Sequence, residues 1–267
     1  MAGLSGRLQS VIRFSGPKNS EPPDYDAYRL SAAEAVYCLL QGVGILILFS
    51  YIFYRSALVF FLMLPALLPF LMYRRRSYVK KRKEELTLQF KEMMHAVIAG
   101  LQAGYSIENA FLHAYEDMRL LYGADSMIAE ELLHINRKLR NNRNLEDVLE
   151  DLAERAHIQD IRDFAEVFHI AKRSGGDLPG ILKNTADLIS DKIEVRREIM
   201  IQVSAKKMEQ TIMDFVPFGI ILYIDATTPG FFDSLYHNPV GVALMSALMV
   251  VYLAAYLLSE KILDIEF

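Results

Sequence analysis

The chain has 267 residues, of which 52% are hydrophobic and 23% are charged. This apolar content is high for an ordinary soluble protein, and the formal net charge of −4 says little about partners because the charges are segregated along the chain. The single cysteine, Cys38, excludes an intrachain disulfide framework and a CxxC metal site. Residues 1–34 contain no signal-peptide pattern and are interpreted as a polar cytoplasmic segment. This segment is either a short basic amphipathic helix on a membrane surface or a tail, and Pro22-Pro23 favour a linker.

Two apolar runs follow and predict a transmembrane hairpin over residues 35–73. Residues 35–54 carry no charge and are long enough to cross about 30 Å of hydrocarbon as a helix. Arg55-Ser56 interrupts the run, and residues 57–73 form the second span, whose prolines are tolerated in membrane helices. A buried hairpin of a soluble protein is the weaker alternative, because two runs of this length are adjacent.

A basic segment follows the second run directly. Seven of the ten residues from Arg74 to Lys83 are Arg or Lys. The positive-inside rule assigns this end of the hairpin to the cytoplasm. The position of the segment makes a topology anchor a better explanation than a nucleic-acid patch, so membrane lipids are an expected partner and nucleic acid is not.

Residues 84–207 have helical periodicity and predict six amphipathic helices, each with one apolar face. The first helix ends at Gly104, and the sixth starts at Asp177 and meets no breaker before Pro217. The pattern indicates a compact cytoplasmic bundle within a domain over residues 74–207. Three of the helices begin with a small polar cap followed by apolar residues one, four and five positions later: Ser106, Asn144 and Asp177.

The chain becomes apolar again over residues 208–260 and predicts a second transmembrane hairpin. Residues 225–239 contain no Lys or Arg, as expected for an external loop, and residues 261–267 form a short cytoplasmic tail. The apolar stretch before the loop is too short to span alone. The predicted third span therefore begins near Lys206 and takes Asp214 into or near the membrane.

Asp214 and Pro217 are the candidate functional residues of the membrane part. A carboxylate at membrane depth costs about 2.5–3.5 kcal/mol on insertion scales and usually faces a bundle interior or a partner. The alternative position is the head-group level, where Asp214 pairs with Lys207 or with water, and the sequence favours neither. Inside the membrane, Pro217 would loosen the helix beside the carboxylate.

The sequence thus predicts an all-α integral membrane protein with four transmembrane helices and a cytoplasmic six-helix bundle inserted between two membrane hairpins. Both termini are expected in the cytoplasm. The sequence contains no phosphate-loop, zinc-protease or serine-nucleophile motif. No enzymatic activity, catalytic residue, cofactor or metal is therefore predicted.

The fourth predicted helix of the cytoplasmic part is strongly acidic. Like charges four residues apart destabilise an isolated helix by roughly 0.2–0.5 kcal/mol per pair, so compensation is expected. The favoured explanation is that basic residues of the preceding helix lie alongside in a helical hairpin. The other explanation is an acidic docking face for a basic cytoplasmic partner, and both can hold. The acidic residues are Glu146, Asp147, Glu150, Asp151 and Glu154.

Gly175, Gly176 and Asp177 mark a helix stop followed by a helix start. Glycine enters the left-handed conformation without a Cβ penalty, so the pair ends the fifth helix and Asp177 caps the sixth. The Gly-Asp pair is similar to a membrane aspartyl peptidase motif, but a partner motif is lacking. Together with Gly104, these residues are predicted to be structural turns without chemistry of their own.

Several short motifs, in this order and with these flanking membrane runs, resemble one known family. The motifs are Ala103–Phe111, Asn144–Leu149, Ser174–Leu178, Arg196-Arg197, Ser204–Lys207 and Val216-Pro217. Over about residues 84–260 the chain resembles the type II secretion system F-domain family, the inner-membrane platform proteins of secretion systems and type IV pili. With a single F module flanked by a hairpin on each side, it is similar to the tight-adherence (TadB/TadC-like) branch. The general-secretion members of the family have two F modules.

The resemblance implies a non-enzymatic platform protein in the bacterial or archaeal cytoplasmic membrane. Such a protein couples a hexameric assembly ATPase to the extraction of pilins, and it pairs with itself or with a paralogous F-domain platform protein. The acidic helix would face the ATPase, and the spans around Asp214 would face the pilins. The alternative function is a four-span membrane signalling or adaptor protein, against which the short external loop counts.

Overall fold

The structure, a computed structural model, describes Tyr25 and residues 32–174, 177–228, 230–232, 236 and 238–263. Every regular element among these residues is helical, and they contain no strand. A short 3-10 turn at Leu64–Ala66 interrupts the second apolar run at Pro65. The helices are α1 (Ala32–Tyr54), α2 (Ala57–Met63), α3 (Leu67–Gln102), α4 (Ile107–Tyr122), α5 (Met127–Arg140), α6 (Leu145–Ala156), α7 (Gln159–Ser174), α8 (Leu178–Thr227) and α9 (Pro239–Leu263).

Polar residues at the helix starts explain why these elements begin where they do. The Ser106 hydroxyl accepts from the Asn109 N–H at 3.4 Å at the start of α4. The Asp177 carboxylate accepts from the Gly180 N–H at 3.1 Å at the start of α8. Each bond satisfies a backbone donor that the helix itself leaves free. Asn144 occupies the cap position of α6, although its side chain makes no capping hydrogen bond.

The described residues divide into two compact units. The helical unit contains Val79–Ile189 and Tyr25, and the hairpin unit contains the described residues of Arg29–Tyr78 and Ser190–Phe267. Long helices contribute to both units, since α3 and α8 continue across the boundaries between them. We describe each unit by itself.

The helical unit has a core along one face of α3. That face carries the apolar residues expected from the periodicity, and all of them are buried: Leu86, Phe90, Met93, Met94, Val97, Ile98 and Leu101. The Phe90 ring packs edge-on against Phe164 of α7, with centroids 5.5 Å apart. A Cβ added to Gly100 would lie 3.1 Å from the Ala110 Cβ atom, so α3 and α4 approach closely at this point.

The hairpin unit has a smaller aromatic core that joins α1, α8 and α9. Phe218 of α8 packs against Phe49 and Tyr252, with centroid distances of 5.2 Å in both pairs. The Tyr236 hydroxyl donates to the Ile52 carbonyl at 2.6 Å. The buried members of this cluster are Ile52, Phe53, Phe218, Tyr236 and Met245.

Three described helices are long and apolar enough to cross a membrane: Glu34–Tyr54, Ala57–Gln102 and Pro239–Ile262. The last part of α8, which corresponds to the predicted third span, is not among them. The physical reason lies in its composition, because Asp214 and Asp225 enclose an apolar stretch of only ten residues, 215–224. Ten helical residues rise about 15 Å, roughly half the hydrocarbon thickness.

Candidate functional site

The acidic helix predicted from the sequence is α6. Its apolar residues Leu145, Val148 and Leu149 are buried, which turns the acidic residues toward the helix edges and the solvent. The five carboxylates divide into two sets. Glu146 and Asp151 are half-buried, whereas Asp147, Glu150 and Glu154 are exposed.

Asp151 lies on the side of α6 that faces α5. The Lys138 ammonium of α5 contacts its Oδ2 atom at 2.8 Å, and Arg155 contacts the same atom at 3.2 Å. Burial acts to raise the pKa of Asp151, but Lys138 and Arg155 outweigh it and hold the pKa below its ordinary value. The predicted compensation by a basic residue of the preceding helix is therefore present at this carboxylate.

Glu146 lies on the opposite side and pairs with α7. Its Oε2 atom accepts from Lys172 at 2.8 Å. The hydrogen bond from Lys172 lowers the pKa of Glu146, and partial burial opposes the change. Part of the acidic helix is thus neutralised inside the unit, by one helix on each side.

Glu150 and Glu154 border an open groove of about 600 Å³ between α6 and α7. Small and apolar residues, Ala153, Ala165 and Ile170, contribute to its lining. The ionisable groups of the lining are Glu146, Glu150, Glu154, Arg162, Glu166 and His169. The sequence did not indicate a groove, because it forms only when α6 and α7 pack side by side.

The sequence did not indicate a buried ion pair between α5 and α6. Arg155 donates from Nη1 and Nη2 to the two carboxylate oxygens of Glu131, at 2.8 Å each. Glu131 is only 1% exposed. The helical spacing of α5 could have indicated that Glu131 is buried, because Glu131 falls on the apolar face defined by Ile128 and Leu132.

Asp214 is half-buried in the hairpin unit. Its main-chain carbonyl accepts from the Tyr252 hydroxyl of α9 at 3.1 Å. Pro217 lies inside α8 without ending the helix. Neither Lys207 nor another described residue forms an ion pair with Asp214, while Lys206 pairs with Glu209 at 2.9 Å.

Arg55 and Asp225 form a second cluster that the sequence did not identify. Arg55 has a left-handed backbone, with φ of 44°, in the turn between α1 and α2. Its guanidinium pairs with the Asp225 carboxylate of α8, which also accepts from the Tyr51 hydroxyl at 3.2 Å. The guanidinium lies over the Tyr236 ring, 5.0 Å from the centroid.

The predicted turn residues have different outcomes. Gly104 follows α3 with φ of 87°, a conformation that favours glycine. Asp177 caps α8, as predicted. Gly175 and Gly176 lie outside the described residues.

The described residues contain no group of three or more His, Cys, Asp or Glu side chains arranged to hold a metal ion. The helical unit, its charged acidic helix and the long apolar helices define the class of protein: an all-helical membrane protein with a compact helical unit between its apolar segments. A family model described as type II secretion system (T2SS), protein F matches residues 89–225, which is 137 of 267 residues. The chain therefore belongs to this family.

No curated protein and no solved structure matches the chain. Proteins of the matched family are non-catalytic platform proteins of the inner membrane in secretion and pilus systems. They generally act with assembly ATPases and with other platform proteins. The matched region contains the acidic helix, Asp214 and Asp225, and it begins within α3.

Proposed function

We propose that this chain is a platform protein of the tight-adherence branch, which couples a cytoplasmic hexameric ATPase to the extraction of pilins from the inner membrane. The observation that carries the proposal is α8, one unbroken helix of 50 residues from Leu178 to Thr227. At 1.5 Å per residue its length is about 75 Å. It includes both predicted cytoplasmic and predicted membrane residues, so a displacement at its start is carried along its length.

Four spans with both termini in the cytoplasm are part of this proposal. Contacts inside the hairpin unit support the crossing of α8. Arg55, in the turn that follows the first span, pairs with Asp225 near the end of α8. Tyr73, at the other end of the second span, donates to Glu260 near the end of α9. In the first contact, the end of α8 lies beside the turn between the first two spans. In the second contact, the end of α9 lies beside the other end of the second span. Both contacts are expected when α8 and α9 cross alongside the other helices.

We also propose that Asp214 lies near mid-membrane. Asp214 is eleven residues before Asp225 in α8, and Lys207 is eighteen residues before it. These separations correspond to about 16 Å and about 27 Å along a helix. Carboxylates at that depth are rare and usually face a bundle interior or a partner, and we assign this one to the contact with pilins.

Cysteine labelling tests the topology directly. In a chain whose native thiol is removed by Cys38→Ala, we expect Ser56→Cys and Asn238→Cys to react with a membrane-impermeant maleimide added to intact cells. Ser77→Cys should react only after permeabilisation. If Asn238→Cys behaves like Ser77→Cys, α8 does not cross and the four-span proposal is wrong.

Capture of the assembly ATPase tests the role of the acidic helix. We expect the full-length protein to retain a hexameric assembly ATPase from the same organism. Glu150→Lys with Glu154→Lys should remove the capture, because both carboxylates are exposed at the groove. Asp117→Lys on α4, also exposed, is the matched control. Failure of the wild type to bind any such ATPase contradicts the platform function, and equal loss in the control contradicts the assigned surface.

Asp214→Asn tests the membrane site. The variant keeps the size of the side chain and removes its charge, so insertion and abundance should be unchanged. We expect fewer surface pili by immunoblotting of the sheared fraction. Asp187→Asn, an exposed acidic residue earlier in α8, should leave piliation at the wild-type level. Wild-type piliation in Asp214→Asn would eliminate the role given to this carboxylate.

A further inference from the structure

Tyr25 is buried in the helical unit, although the sequence predicted a linker or a tail in this region. Its side chain is 1% exposed. The hydroxyl donates to Glu131 Oε1 at 2.8 Å, and the backbone N–H donates to the Arg155 carbonyl at 3.3 Å. The guanidinium of Arg82 lies over the ring, 4.9 Å from the centroid. Tyr25 therefore contacts three helices, α3, α5 and α6, at one point.

The chemistry of this pocket matches a tyrosine. The ring face suits the Arg82 cation, and the hydroxyl makes a charge-assisted bond to a carboxylate. Burial and the nearby charge of Glu131 raise the pKa of Tyr25, so the hydroxyl remains protonated and remains a donor. Phenylalanine would keep the contact with Arg82 and lose the bond to Glu131, and alanine would lose both.

The position of the pocket gives the contact a mechanical consequence. Arg155 belongs to the acidic helix α6, where it also binds Asp151. Arg82 belongs to α3, whose first residues form the last part of the second predicted span. A second link near the pocket runs from the Lys83 ammonium of α3 to the His157 carbonyl after α6, at 3.5 Å. Tyr25 contacts α3 with its ring and α6 with its backbone N–H, and its hydroxyl shares Glu131 with Arg155. A residue that contacts both helices resists their separation.

We propose that Tyr25 docks on the helical unit and acts as a clamp that makes α3 and α6 move together. The docking stands on the contacts alone, whereas its use in pilus assembly rests on the proposed function. A force applied by the ATPase to the acidic helix then reaches α3 through Tyr25, in addition to the path through α8.

Nitration by tetranitromethane tests the docking in the full-length protein in membranes. Tyr25 should react at least about tenfold more slowly than Tyr105, which is 47% exposed in the same unit and serves as the internal reference. The tryptic peptide that contains Tyr25, residues 19–29, also contains Tyr28. Fragment-ion mass spectrometry separates the two tyrosines and gives the rate for Tyr25. Glu131→Ala and Arg82→Met should each raise the Tyr25 rate toward that of Tyr105 without changing Tyr105. Equal rates for the two tyrosines in the wild type overturn the docking.

Two substitutions at Tyr25 test the clamp. Tyr25→Ala should lose surface pili and still capture the ATPase, and Tyr25→Phe should retain most piliation because the ring remains over Arg82. Wild-type piliation in Tyr25→Ala overturns the clamp, and so does a loss of ATPase capture in that variant, because the acidic surface would then depend on Tyr25. Absence of capture by the wild type contradicts the proposed function alone, since the nitration result still decides the docking.

Discussion

Substitution of Arg155 by alanine tests the energetics of the helical unit. The guanidinium holds both carboxylate oxygens of Glu131 at 2.8 Å, and Glu131 is 1% exposed. Removing one partner of a buried pair costs about 3–5 kcal/mol, because the other charge stays buried. The Tyr25 hydroxyl still donates to Glu131, and Lys138 still pairs with Asp151. We therefore expect a loss near the lower limit, about 3 kcal/mol.

Urea unfolding of the purified full-length protein, followed by far-UV circular dichroism, measures this loss. With a urea dependence of about 1–3 kcal/mol per molar, the midpoint of the Arg155→Ala transition should fall by about 1–3 M. The double variant Glu131→Gln with Arg155→Met removes both charges and should recover part of the loss.

Arg137→Ala is the matched control, because Arg137 is exposed on the neighbouring helix α5. A urea midpoint for Arg155→Ala equal to that of Arg137→Ala would refute the reasoning. Loss of a buried ion pair should destabilise the protein more than loss of an exposed arginine. A double variant less stable than Arg155→Ala would also contradict it, because it would show that the buried charge was not the cause.

Two further predictions concern packing and pH. Gly100→Leu should lower the stability of the helical unit by about 1–3 kcal/mol in the same urea assay, because any Cβ already lies 3.2 Å from the Ala110 Cα atom. Glu146→Gln should cost about 0.2–1 kcal/mol at pH 7, the usual contribution of a partly exposed ion pair. Since Lys172 lowers the pKa of Glu146, the contribution is complete above the unfolded-state pKa of about 4.3 and is lost as the pH falls through the folded-state value. The difference between wild type and variant should therefore vanish in acid.

Each of these two predictions has a matched control substitution at another position of the chain. Gly44→Leu adds the same side chain to a helical glycine with no atom within 4 Å of its added Cβ, and it should change stability little. Asp147→Asn removes an exposed carboxylate one residue from Glu146 and is the matched control for the second substitution. A Gly100→Leu protein as stable as the wild type would contradict the packing argument. A difference in stability between wild type and Glu146→Gln that persists in acid would contradict the pH argument.

The sequence by itself determined the helices and their inner faces. Periodicity along α3 identified the residues from Leu86 to Leu101 that the structure buries, because a helix brings every third and fourth side chain to one face. Ser106 and Asp177 marked helix starts, because a cap bonds a backbone N–H three residues away. These features are local, and the residues that decide them are adjacent in the chain.

Only the tertiary structure decided how the charged residues are used. Within one acidic helix, Glu146 and Asp151 are paired while Glu150 and Glu154 line a groove, and this division depends on where α5 and α7 pack. Tyr25 is 106 residues from Glu131, and Arg55 is 170 residues from Asp225. Contacts across such separations leave no periodic pattern, because the partners meet only after the helices have packed. The faces of the helices therefore follow from the sequence, whereas the partner of each charge follows from the fold.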